Sequence, residues 1–227
     1  MNNLENNPQN NRILSALPKT EYQRIVKLLK PVDLTLNEIL LKAGQKSELL
    51  HFPTKGIVSL ISEMDDGSTT EIGLIGREGM VGTQQFLGNG MINSFTMVQV
   101  GGTAMRIESA VLRSEFDRSL AWQKLLLGYG LKLFNQVSQC AACNNHHSVE
   151  QKTARWLLML DDRSENRLSM THQLLAKMLG VRRTGVTEVA NQFKQQGIIN
   201  YQRGLITVLD RRALEAIACQ CYQLIRV

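Results

Sequence analysis

From Ile13 to Leu29 apolar residues recur at helical spacing, which predicts one or two short helices behind an asparagine-rich leader. Beyond Val32 the pattern shortens. The pieces "VDLTL", "EILLKAG", "GIVSLISEMDDG", "TTEIGLIGREG" and "FTMVQVGGTAMRI" are apolar runs punctuated by Gly and Asp-Gly breaks. Such punctuation predicts short strands joined by tight turns, hence a compact antiparallel β domain.

From Ser119 to His147 the period becomes helical again. Leu127, Leu131, Phe134, Ser138, Ala141 and Asn145 fall at alternating steps of four and three, a heptad-like seam. A helix of this length projects beyond a small β domain, so the seam predicts a partner helix and a dimer. Ser148 then opens a new helix, with Gln151 placed to complete a capping box. Val149, Thr153, Trp156, Leu157 and Leu160 make its buried stripe, which predicts a domain boundary at His147/Ser148, where a bend could act as a hinge.

Two further helices follow in quick succession. Thr171 caps a helix of about two turns ending at Leu179, Gly180 supplies a sharp turn, and a second helix runs from Arg183 to about Gln196, where Gly197 stops it. Leu175, Leu179, Val181, Val186 and Val189 join the two helices, and Ala176 is small where they cross. Val186, Val189, Ala190 and Phe193 face inward. Arg183, Thr184, Thr187, Glu188 and Asn191 are left outside. "IINYQRGLITVL" alternates about Gln202-Arg203-Gly204 and predicts a hairpin. The whole is the residue pattern of a winged helix-turn-helix, whose second helix reads base edges with its N-terminal residues.

Charge sharpens this reading. The 227-residue chain carries a net charge of +6, unevenly spread. Residues 148–227 hold twelve Lys/Arg against seven Asp/Glu, residues 1–147 fourteen against thirteen, so a polyanion partner belongs at the C-terminal end. Arg182 and Arg183 sit where a helix begins, against a dipole worth about half a positive charge. A phosphate placed there would meet both cations, free backbone N–H groups and the positive helix end together, which explains the placement.

Other classes lose support. Apolar residues are 43% and charged residues 20%, an ordinary globular balance. No apolar run approaches the roughly 20 residues that span a bilayer, and the leader lacks the regions of a signal peptide, so a soluble, cytoplasmic protein without a membrane partner is expected. A Walker loop, a GxGxxG fingerprint and any Ser/His/Asp or paired-carboxylate spacing are missing, so an enzyme is not expected.

The chain resembles the Crp/Fnr family of bacterial transcription regulators, most specifically over "MTHQLLAKMLGVRRTGVTEVANQFKQQGIINYQRGLITVLDRRAL". The resemblance implies an α+β architecture in three parts. Residues 1–118 would be an N-terminal antiparallel β-roll, a cyclic-nucleotide-binding-like jelly roll with N-terminal helices; 119–147 a dimerisation helix; 148–227 a C-terminal winged helix-turn-helix. It also implies a homodimer on two-fold double-stranded DNA, with half-sites about 34 Å apart, and RNA polymerase as a further partner.

The family commonly reads DNA with an Arg-Glu pair at the start of the recognition helix and an Arg about one turn later. Arg183 matches the first position, whereas Thr184 replaces the Glu and Glu188 replaces the later Arg. Arg183 can grip a guanine edge. Glu188 either accepts from cytosine N4 or is a surface charge paired with Arg182 or Arg183. Arg182, His172, Gln173 and the wing's Arg203 are expected on phosphates, and Thr171 and Thr187 complete the DNA-facing set.

The effector site departs further from the family. Members that bind cyclic AMP carry Gly-Glu and, after a loop, Arg-Ser or Arg-Thr; here Gly82 precedes Thr83, and Asn93-Ser94 takes the second place. Without the arginine a buried cyclic phosphate is poorly paired, so no cyclic nucleotide cofactor is expected. The pocket, placed at Gly82, Thr83, Asn93, Ser94, Val137 and Ser138, takes another small molecule or none.

Four cysteines in two close pairs do not suggest a disulfide framework. Cys140, Cys143 and His147 share a helix face and could hold a metal or a redox centre, but small residues beside a dimer seam account for the same letters and are preferred. The N-terminal cysteine cluster of the family's iron–sulfur regulators is missing. Cys219 and Cys221 read as ordinary helix residues, with a peroxide-sensitive thiol as the alternative. The competing overall reading is a ligand-, metal- or redox-sensing module whose winged helix contacts protein.

Overall fold

The structure is a computed structural model that describes residues 6–88, 90–164 and 168–227. It resolves into two compact units, residues 1–60 with 75–134, and residues 61–74 with 135–227.

In the first unit a 3-10 turn (Pro8–Asn10) leads into α1 (Arg12–Ser15) and α2 (Lys19–Ile25). Asn11 organises this start. Its side-chain oxygen accepts from the N–H groups of Ile13 and Leu14, capping α1, while Nδ2 donates to the carbonyls of Pro53 and Gly79. A fully buried amide thereby has its hydrogen-bonding groups satisfied, as burial requires.

Strands β1 (Lys30–Leu34), β2 (Ile39–Leu41), β3 (Leu49–Glu63), β4 (Thr69–Ile75) and β5 (Ser94–Glu108) form one sheet in the order β1-β5-β3-β4, with β2 also on β5. The β1/β5 and β2/β5 pairs are antiparallel, with Lys30 opposite Arg106 and Ile39 opposite Met97. Where β3 passes β5 the backbones approach so closely that only glycine fits. At Gly56, with φ +91°, an added Cβ would lie 2.6 Å from the Val100 carbonyl oxygen. Leu14, Ile25, Phe52, Val58, Phe86 and Val98 fill the core beneath. Two helices not foreseen in the β-rich stretch, α3 (Thr83–Gly88) and α4 (Ser109–Arg118), complete the unit.

Helix α5 (Leu120–His146) has two faces. Trp122, Leu126, Tyr129 and Leu133, spaced four, three and four apart, are buried in the first unit's core. Leu127, Leu131 and Phe134 of the heptad seam stand 56, 61 and 67% exposed, and the stripe continues through exposed Ser138, Ala141 and Asn145. Thus the seam is not spent on the chain's own core.

In the second unit, α6 (Val149–Asp161) starts with the expected capping box: Ser148 Oγ accepts from Gln151 N–H, and the Gln151 side chain accepts from Ser148 N–H. One buried stripe was expected on this helix. Instead, Lys152 to Leu160 are buried without a break. Neighbours cover α6 on several sides, and two of its long polar side chains are bonded: Trp156 Nε1 donates to Glu71 Oε1 at 2.6 Å and Lys152 Nζ to the Asn144 carbonyl at 2.9 Å.

After α6 come β6 (Leu168–Ser169), α7 (His172–Leu179), α8 (Arg183–Gln195), β7 (Ile199–Gln202), β8 (Leu205–Val208), α9 (Arg211–Ile217) and α10 (Cys221–Ile225). The second sheet is antiparallel in the order β6-β8-β7. The C-terminal segment is anchored on α6 by Arg211, which reaches Asp161 and Asp162 at 2.5 Å and Glu215 at 3.0 Å. The Tyr222 hydroxyl joins this group through Asp162, and burial pushes its pKa up to about 12. Among the described residues no helix is long and apolar enough to cross a membrane.

Candidate nucleic-acid interface

Local chemistry sets the angle between α7 and α8. Thr171 Oγ1 accepts from Leu174 N–H at 3.1 Å and starts α7. Gly180 ends it in the left-handed region (φ 62°, ψ 39°), with Val181 N–H bonding back to the Ala176 carbonyl. An added Cβ at Gly180 would meet Thr70 Oγ1 at 2.9 Å, so conformation and space both call for glycine. Leu175, Ala176, Met178 and Leu179 of α7 are buried, as are Val186, Val189, Ala190 and Phe193 of α8.

The outer face of α8 is polar and open. Arg182, Arg183, Thr184 and Glu188 are exposed, as is Gln173 on α7. Arg182 occupies the N-cap without making a side-chain cap bond, and the first turn of α8 holds no acid. Two cations therefore sit at a helix end whose backbone N–H groups point outward, an arrangement that favours an anion. Among the described residues Glu188 pairs with neither arginine.

The hairpin β7–β8 turns through Arg203 (φ 49°) and Gly204 (φ 78°), two consecutive residues in the left-handed region. A two-residue loop of this kind matches the right-handed twist of its strands. It leaves Arg203 exposed at the tip.

His172 and Thr187, both expected on the DNA-facing surface from sequence, are half-buried and bond to each other. His172 Nδ1 lies 3.1 Å from Thr187 Oγ1, and its ring stacks on Tyr201 with centroids 4.3 Å apart. Desolvation and then the charge of Arg183 lower the pKa of His172. A half-buried, neutral imidazole braces α7, α8 and the wing and makes a poor cation for phosphate.

In the first unit the residues given to an effector pocket have other work. Gly82 is a buried turn glycine (φ +94°) packed on Leu50, the Thr83 hydroxyl donates to the Met80 carbonyl at 2.7 Å, Ser94 is buried at the start of β5, and Asn93 is exposed. On α5, within the second unit, Val137 is half-buried and Ser138 exposed. None of these six lines the cavity of about 870 Å³ in the first unit, whose polar walls include Lys46, Gln85, Glu108 and Arg113. The sequence signal for that cavity is weak, because its wall is assembled from three separate segments.

The cysteines also regroup. Cys140 leaves the expected trio and faces the Arg155 guanidinium, with Nη1 3.0 Å from its Sγ. Cys143 and His147 meet Cys219 and Cys221, the pair read as ordinary helix residues. Burial pushes the thiols of Cys140, Cys143 and Cys219 above their usual range.

Residues 151–217 match the Crp-like helix-turn-helix domain family. The fold as a whole recurs in FixK2 from Bradyrhizobium japonicum (13% identity, 84% of this chain and 98% of that one, TM-score 0.72). It recurs equally in a Crp/Fnr-family transcriptional regulator from Eubacterium rectale (17%, 92% and 98%, 0.72). A third likeness is the c-di-GMP-responsive global regulator CLP of Xanthomonas campestris (17%, 84% and 99%, 0.67). Among curated proteins none matches. The N-terminal antiparallel sheet, long helix and C-terminal helix-turn-helix thus share the fold of these regulators.

Proposed function

With a Crp-like helix-turn-helix over residues 151–217 as the premise, we propose that this protein is a sequence-specific DNA-binding transcription regulator without catalytic activity, acting as a homodimer. The observation that carries the reading is the open end of α8, where Arg182 and Arg183 stand exposed at an uncapped, acid-free helix N-terminus. In the major groove Arg183 grips the O6/N7 edge of a guanine and Glu188 accepts from a cytosine N4. Arg182, Gln173 and the wing-tip Arg203 hold phosphates and carry no sequence information. Thr171 and Thr187 set the pose of the helix pair.

The exposed Leu127, Leu131 and Phe134 stripe supports dimerisation, since a contiguous apolar strip on a helix calls for a covering surface. Two copies of α8 then face half-sites about 34 Å apart, and RNA polymerase is the downstream partner. No cyclic nucleotide is assigned, because Asn93 offers no charge to a cyclic phosphate.

Selection of sites from random duplex DNA tests the proposal, with Arg183→Ala alongside. The wild-type protein enriches a two-fold motif and the variant relaxes it at one base pair of each half. No enrichment, together with binding that ignores ionic strength, would overturn the DNA reading in favour of protein contact.

A further inference from the structure

Cys143, His147, Cys219 and Cys221 are not needed for DNA binding, yet they form a compact group. Their ligand atoms all lie within 4.8 Å of one another. Cys143 Sγ is 3.5 Å from Cys219 Sγ, and Cys221 Sγ is 3.6 Å from His147 Nδ1. Around zinc, with bonds of about 2.3 Å to sulfur and about 2.0 Å to nitrogen, the edges of a tetrahedron are about 3.5–3.8 Å. All four cysteines of the chain are free, the three thiols in the group are buried, and His147 is half-buried.

We propose that these four residues form a Cys3His zinc site that ties the last turns of α5 to the C-terminal segment of the same unit. The spacing suits the task. Cys143 lies in the last turn of α5 and His147 directly follows the helix, with its N–H still bonded to the Cys143 carbonyl at 3.1 Å, so the two share a face. Cys219 and Cys221 bracket the start of α10 and present two sulfurs from one turn of chain. Four protein ligands complete a tetrahedral shell, which makes the site structural rather than hydrolytic.

Two surrounding observations point the same way. Gln139 Nε2 donates to Cys221 Sγ at 3.1 Å, the kind of outer hydrogen bond that orients a metal-bound thiolate. Arg155, almost wholly buried, bonds only to the sulfurs of Cys140 and Met159, and among the described residues no carboxylate pairs with it. A buried cation without an anion is costly. Zinc entering the group displaces three thiol protons to solvent and leaves Zn²⁺ with three thiolates and a neutral imidazole, one net negative charge, as the missing counter-charge. Soft thiolate ligands favour zinc over calcium or magnesium.

The test uses the full-length protein prepared with reductant, its metal content measured by elemental mass spectrometry, and cobalt(II) as a spectroscopic probe. The expected result is one zinc per chain. Cobalt should produce thiolate charge-transfer absorption in the near ultraviolet and intense visible bands of a tetrahedral ion, both erased by added zinc. Cys219→Ser removes them, and His147→Gln, a change at a half-exposed ligand, does so with the fold intact by circular dichroism. Gln139→Ala weakens zinc binding about 10-fold. Cys140→Ser leaves the stoichiometry unchanged. A folded wild-type chain that takes up neither metal, or a Cys143–Cys219 disulfide persisting under reductant, would overturn the proposal. So would a Cys140→Ser loss equal to that of Cys219→Ser.

Discussion

His172 Nδ1 sits 3.1 Å from Thr187 Oγ1, and the Thr187 hydroxyl in turn donates to the Arg183 carbonyl at 3.0 Å. With the hydroxyl proton committed to Arg183, Nδ1 must carry the proton of the imidazole. A relay of two side chains therefore links the first helix to the residue that opens the second. His172→Ala breaks it and uncovers Tyr201. The variant should lose about 1–2 kcal/mol of stability in urea unfolding and bind DNA more weakly, without altered preference at any base pair. A changed motif would instead place His172 on a base.

Arg183 and Arg203 are exposed cations with different tasks. Arg183→Ala should cost about 1–3 kcal/mol of binding and relax one position. Arg203→Ala should weaken all sequences alike and lower the slope of log K against log salt by about 1. Fluorescence anisotropy over a salt series separates the two.

Leu131 and Phe134 are more exposed than Leu127, the third large apolar residue of the α5 stripe. The double change Leu131→Glu and Phe134→Glu places two like charges on that strip and faces them against their copies. Sedimentation should show a monomer, and affinity for a two-fold site should fall on the order of 100-fold as the second half-site contact is lost. A persistent dimer would locate the interface elsewhere.

His51 is buried, and its Nδ1 has no hydrogen-bond partner among the described residues. Desolvation, with Arg106 adding to it, lowers its pKa to about 4 from the ordinary 6.5. The unfolded chain therefore binds a proton that the folded one refuses. Stability is full above pH 6.5 and declines as the pH falls from 6.5 toward 4, by up to about 3 kcal/mol. His51→Gln should flatten this part of the stability curve in thermal melts; an unchanged curve would assign the acid sensitivity to other groups.

Elements governed by neighbouring residues were legible. The Ser148–Gln151 box, the Thr171 cap, the Gly180 turn and the Arg203-Gly204 loop each depend on atoms within a few positions of one another, and each stands where the pattern placed it. Arg182, Arg183 and Glu188 were legible as an exposed set because helical periodicity assigns faces directly. The contacts of His172 were not legible: its ring stacks on Tyr201, a residue of the wing, and periodicity on α7 carries no information about that contact.

The sequence by itself determined the order of the main blocks, the apolar faces of α7 and α8, and the breaks between them, because capping, turn chemistry and periodicity act over one or two turns of chain. Only the tertiary structure decided which distant side chains meet. Cys143 and Cys219 are 76 positions apart and Glu71 and Trp156 are 85 apart. Such pairs depend on how whole elements pack, a cooperative outcome of burying apolar surface that no local spacing encodes.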